Sequence, residues 1–185
     1  SLAILIIFFY RRNDKQISLS FSLFVFSIFI WTISRFLENH AITENSKIFF
    51  LNLQFIGVSF IPYFWAGFVY LFRYPQRKIS PPIKWGFLIV PVAFIAITWS
   101  NPAHHLFWLE RSMITVGYLR VLHWVYGPLF FVFLLYASIS VLYSNIILLT
   151  DKRKHSSKLI HSQIILFMVA SIVVYIGALI SALYT

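Results

Sequence analysis

The chain has no cysteine and only five acidic residues. The first absence rules out disulfides, thiolate metal sites and cysteine nucleophiles. Charged residues make up only 11% of the 185 and hydrophobic residues 60%, which leaves too little polar surface to enclose a water-soluble globule of this size. A mean hydropathy of +0.83 agrees. No Asp, Glu or Lys falls near the middle of any long apolar run. Proton pumps, ion-coupled transporters and voltage sensors normally carry such groups along their path, so this absence argues against them. The start does not read as a secretory leader either. Residues 2–10 are apolar but have no basic residues before them and no small-residue cleavage site, so the run reads as the end of a truncated helix.

What is present is a series of apolar segments, each to be set against the roughly 20 residues that cross a hydrocarbon core. Six stand out: Leu2 to Tyr10 (partial), Ile17 to Leu37, Ile48 to Phe72, Trp85 to Trp99 (short), Trp124 to Leu149, and Ile160 to Tyr184. The expected fold is an all-α polytopic transmembrane helical bundle, with residues 1–185 as one transmembrane domain. Six spans that start outside also end outside, so a seventh helix and a cytoplasmic effector are expected beyond Thr185.

The net charge of +10 does not point to nucleic acid, because the Lys and Arg sit in short clusters between apolar runs and no soluble fold presents them. Eleven fall on one side: Arg11, Arg12, Lys15, Arg73, Arg77, Lys78, Lys84, Lys152, Arg153, Lys154 and Lys158. Four fall on the other, Arg35, Lys47, Arg111 and Arg120, together with Glu38, Glu44 and Glu110. The positive-inside rule then predicts a multi-pass inner (plasma) membrane protein with its N-terminus outside and its basic loops cytoplasmic.

On the outer side, residues 112–123 alternate polar and apolar around Gly117 and predict a small hairpin between the fourth and fifth spans. Trp99, Trp108 and Trp124 read as interfacial anchors. Pro62, Pro91 and Pro128 are hinge candidates, since proline inside a helix removes a backbone donor; static packing explains them equally well.

The densest polar chemistry lies in Trp99-Ser100-Asn101-Pro102-Ala103-His104-His105-Leu106-Phe107-Trp108. Asn101-Pro102 predicts a helix-ending turn in which the Asn side chain bonds the backbone ahead of it. Adjacent histidines point in different directions, and without Cys or carboxylates beyond Glu110 a hydrogen-bonded structural role is favoured over a zinc site. A partly exposed imidazole, with a reference pKa of about 6.5, could also respond to exterior pH. A bis-histidine haem is disfavoured because no His lies mid-helix. No cofactor is expected. Deeper in the bundle, Arg35, Asn52, Gln54 and Ser59 cluster toward the outer leaflet. They form either interhelical hydrogen bonds or a polar pocket open to the outside.

Several of these residues fall in a recognisable order. Leu53-Gln54-Phe55-Ile56-Gly57 is followed by Phe60-Ile61-Pro62 and Trp65, then by the 100–108 loop, Tyr126-Gly127-Pro128, Tyr136 and Gln163. This order resembles the N-terminal seven-helix sensor region of membrane histidine kinases, a region that also precedes diguanylate cyclase and nucleotide cyclase domains. The resemblance covers most of the chain. It departs at Ile160-His161, where the family often has an Arg, and at Val173-Val174-Tyr175, where it often has a Pro. It implies a sensory role without supplying a stimulus.

The favoured reading is therefore a sensing and transducing module in the bilayer, a homodimer that relays a small-molecule or lipid signal to a cytoplasmic kinase or cyclase. The alternative is a channel or transporter subunit. An embedded enzyme would need a nucleophile or paired acids at one depth, and none is found. The candidate ligand-binding residues at the outer mouth are Arg35, Asn52, Gln54, Asn101, His104, His105 and Trp124, with no metal site.

Overall fold

A computed structural model describes residues 15–77, 79–116, 119–150 and 158–183. The first apolar segment, Leu2 to Tyr10, and Gly117 lie outside them. Helix α1 spans Lys15–His40, α2 Glu44–Arg73, α3 Pro81–Trp99, and α4 the single turn Asn101–His104. Strands β1 (Trp108–Val116) and β2 (Leu119–Tyr126) follow, then α5 (Pro128–Leu149) and α6 (Lys158–Leu183). The all-α polytopic bundle with a small hairpin is thus the observed architecture. Helices α1, α2, α3 and α5 are each long and apolar enough to cross a membrane, and α6 carries a shorter apolar stretch over Ser162–Gly177.

Local chemistry sets the helix starts. Thr43 is extended and its hydroxyl accepts from the Ser46 amide at 3.3 Å, capping α2 with Glu44 in the first turn. Pro81 and Pro82 open α3 where helix amides have no partner, so this span begins four residues earlier than the sequence suggests. The fifth segment changes in the opposite sense. Trp124 to Tyr126 belong to β2, and Pro128 is the first residue of α5, with Gly127 as its N-cap. At that position proline costs no helical hydrogen bond, so Pro128 is not an interior hinge. Pro62 and Pro91 do lie inside α2 and α3, and both are buried.

Helix α2 is the hub, packing against α1, α3 and α5, while α6 packs against α5. Two close approaches need glycine. A Cβ on Gly57 would sit 2.4 Å from the Ser27 carbonyl of α1, and one on Gly127 would sit 2.2 Å from the Leu106 carbonyl. The aromatic core divides in two. At the hairpin end Phe55 meets Phe107, Trp108 and Phe133 edge-on. At the opposite end Trp65, Phe68 and Phe72 pack around Phe167. Large apolar side chains such as Leu19, Phe29, Phe87, Ile89, Leu142 and Val173 face outward all along the helices, as a lipid-facing surface requires.

The hairpin is longer than residues 112–123. Its antiparallel register runs from Trp108↔Tyr126 to Val116↔Leu119, with an irregularity between Trp108 and Glu110. Arg111 is opposite Trp124 and Met113 opposite Leu122; with Tyr126, these residues form the more buried face against the hairpin-end core. Trp108 is only 1% exposed, so it is a core residue under the hairpin and not an interfacial anchor.

Candidate functional site

Polar side chains gather at the hairpin end, where the C-terminus of α1, the N-terminus of α2 and the hairpin meet. Helix α1 carries Ser27, Ser34 and Glu38 on one buried stripe, and α2 faces it with Lys47, Leu51 and Gln54. Glu38 is the junction. Its Oε2 accepts from Arg35 Nη1 at 2.7 Å and from Gln54 Nε2 at 2.5 Å, and its backbone carbonyl accepts from Lys47 Nζ at 2.9 Å. Glu38 and Lys47 are each only 3% exposed. A carboxylate removed from water needs such donors, because burying it unpaired would cost several kcal/mol or more.

The Arg35 guanidinium lies 5.7 Å from the centroid of the Trp124 ring, which links α1 to the hairpin. Within β1, Arg111 stacks over Trp108 at 5.1 Å, and its partner across the strand pair is Trp124. Burial pushes the Arg111 guanidinium below its ordinary range and Glu44 draws it back up; the group stays charged. Arg111 Nη1 and the Trp124 ring N–H are buried without a hydrogen-bond partner, as is Asn52 Oδ1 on α2.

The loop residues do different work. Asn101 is fully buried, and its Oδ1 accepts from the amides of Phe107 (2.9 Å) and Trp108 (3.0 Å). Its Nδ2 donates to the Trp108 carbonyl at 3.0 Å, which completes the turn expected of Asn101-Pro102. His104 Nδ1 accepts from the Leu106 amide at 2.9 Å, which places the ring proton on Nε2, 3.2 Å from the Ile97 carbonyl. His105 ends α4 in a left-handed conformation (φ 52°) and is exposed. Asn101 and His104 fasten the hairpin to α3.

Of the candidate residues, then, Arg35, Gln54 and Trp124 come together; Asn101 and His104 form a separate clamp, Asn52 is buried on α2, and His105 faces away. The residues that sequence reasoning missed are Glu38, Lys47 and Arg111, which it counted as loop charges. The signal was present in α1, since Ser27, Ser34 and Glu38 repeat at seven and four residues, the spacing of one helix face. Among the described residues no group of three or more His, Asp or Glu is placed to hold a metal ion.

A bundle of long apolar helices, clamped to a β-hairpin and joined at that end by buried polar contacts, defines a multi-pass α-helical membrane protein. Within that class, the family model described as the N-terminal 7TM region of histidine kinase matches residues 1–185, and the chain belongs to that family. The family implies a membrane sensor region of histidine kinases. No curated protein and no solved structure matches the chain.

Proposed function

We propose that this region senses an exterior or membrane-borne signal at its hairpin end and relays it to a cytoplasmic histidine kinase or nucleotide cyclase through small shifts of α1 against α2. The observation that carries the reading is the Glu38 junction, which ties the two helices together directly beside the hairpin. A contact on the hairpin that moved Trp124 would disturb Arg35 and, through it, the carboxylate that holds α1 to α2. Helix displacements of about 1–2 Å are a sufficient switching mode.

In this proposal the protein lies in the plasma (inner) membrane as a homodimer. The hairpin faces out, because Arg73, Arg77, Lys84 and Lys158 stand at the opposite end of the bundle. Autophosphorylation of the protein as the cell makes it, in native membranes, tests the relay. Replacing Glu38 with Gln, or Gln54 with Ala, should lock output high or low, while Arg120→Gln on the exposed hairpin should leave it unchanged. If folded junction variants signal like the parent, the relay is wrong.

A further inference from the structure

The charges at the hairpin end do not balance. Arg35, Lys47 and Arg111 face Glu38 and Glu44, three cations against two carboxylates. Arg35 is paired with Glu38 at 2.7 Å. Lys47, though buried, donates only to a neutral backbone carbonyl, and among the described residues no carboxylate lies within ion-pairing distance of Lys47 or Arg111. Glu44 is exposed and acts on Arg111 from farther off, and Glu110 belongs to the opposite face of the hairpin.

Two unfilled donors lie on the hairpin at this end of the bundle. Arg111 and Trp124 are directly opposite in the register, so their side chains leave the same face of the hairpin a few ångströms apart. Both bring a buried N–H to that place without an acceptor, Nη1 of Arg111 and Nε1 of Trp124. A buried donor left unmade typically costs about 1–3 kcal/mol, and more when it is charged, so two side by side are costly unless something accepts from them. Trp108 beneath the Arg111 guanidinium and Arg35 beside the Trp124 ring hold both groups in place.

We propose that the inward face of the hairpin is a binding site for one anionic group, a phosphate or carboxylate, which accepts from Arg111 Nη1 and Trp124 Nε1 and offsets the guanidinium charge. A planar guanidinium and an indole N–H are suited to an oxyanion, since neither can accept a hydrogen bond. The group comes either from the headgroup of an anionic lipid in the surrounding leaflet or from a free acid in the medium. The site names the chemistry of the signal in the sensing reading and rests on that reading for its purpose. Its test reads binding directly, so failure here and failure of the relay remain distinct.

The test uses the full chain in phosphatidylcholine nanodiscs. In one arm, phosphate or succinate is titrated at constant ionic strength while the thermal midpoint is followed. In the other, phosphatidylglycerol replaces part of the phosphatidylcholine and the lipids retained by the protein are counted by native mass spectrometry. A saturable rise in midpoint identifies a free acid; preferential retention of phosphatidylglycerol identifies a lipid headgroup. In either case Arg111→Gln should weaken binding about tenfold or more, the loss of a charge-assisted bond. Arg111→Lys should recover part of it, which separates lost binding from lost folding, and Arg120→Gln should bind as the parent does. No midpoint shift and no lipid preference, or unchanged binding by a folded Arg111→Gln variant, would overturn the proposal.

Discussion

The carboxylate of Glu38 and the side-chain amide of Gln54 meet 2.5 Å apart across the α1–α2 interface, both buried. Sixteen residues separate them in sequence, and the bond closes the helical hairpin at the end nearest its turn. Replacing Gln54 with Ala leaves the Glu38 carboxylate with Arg35, whose side chain is 43% exposed, as its one side-chain donor among the described residues. The expected loss is about 1–3 kcal/mol of stability, read from denaturant unfolding in detergent micelles.

Asn101 satisfies three backbone groups at once. In Asn101→Ala the amides of Phe107 and Trp108 lose their acceptor inside the core. Hydrogen exchange at those two positions should speed up markedly, and the protein should lose about 2–5 kcal/mol. Unchanged protection at both amides would refute the clamp.

Gly57 and Gly67 lie on the same helix and should answer oppositely to alanine. At Gly57 the new methyl would meet the Ser27 carbonyl at 2.4 Å and the Trp31 amide nitrogen at 2.8 Å, so α1 must back away, at about 1–3 kcal/mol. At Gly67 nothing lies within 4 Å, and the better helix propensity of Ala should be neutral or stabilise by up to about 1 kcal/mol. Thermal midpoints of the two variants give the comparison.

Pro128→Ala should change stability by less than about 0.5 kcal/mol, because the first helical position has no intrahelical amide bond to regain. A large effect on stability or signalling would restore Pro128 as a conformational element. Circular dichroism melts and the autophosphorylation assay together decide it.

Among the described residues the apolar helices, the hairpin and the Asn101 turn were legible because each follows from local pattern: apolar length, alternation, and an Asn-Pro step. The ends of elements were less so. Pro128 looked like an interior proline because Trp124, Val125 and Tyr126 are as apolar as the helix that follows, and only strand pairing separates them. Glu38 and Lys47 read as loop charges because they flank a turn, yet α1 and α2 continue to His40 and back to Glu44. Their burial depends on two helices meeting, which no single window of sequence contains. For the same reason Trp108 looked like an anchor: it is surrounded by Phe55, Phe107 and Arg111, two of them its chain neighbours and one from a helix more than fifty residues away.

Helix α2 also fixes a depth. From Gln54 to Arg73 is nineteen residues of rise, about 28 Å, close to the roughly 30 Å of a hydrocarbon layer. Arg73 donates to the Thr150 carbonyl at one end of that length and Gln54 donates to the Glu38 carboxylate at the other, so a bilayer matched to the helix would set its two boundaries near these contacts. A membrane of shorter acyl chains would carry water down to that carboxylate and weaken its contacts, while a thicker one would seal it. The same helix that organises the bundle therefore has the length of a ruler, and the hold between α1 and α2 is expected to vary with bilayer thickness.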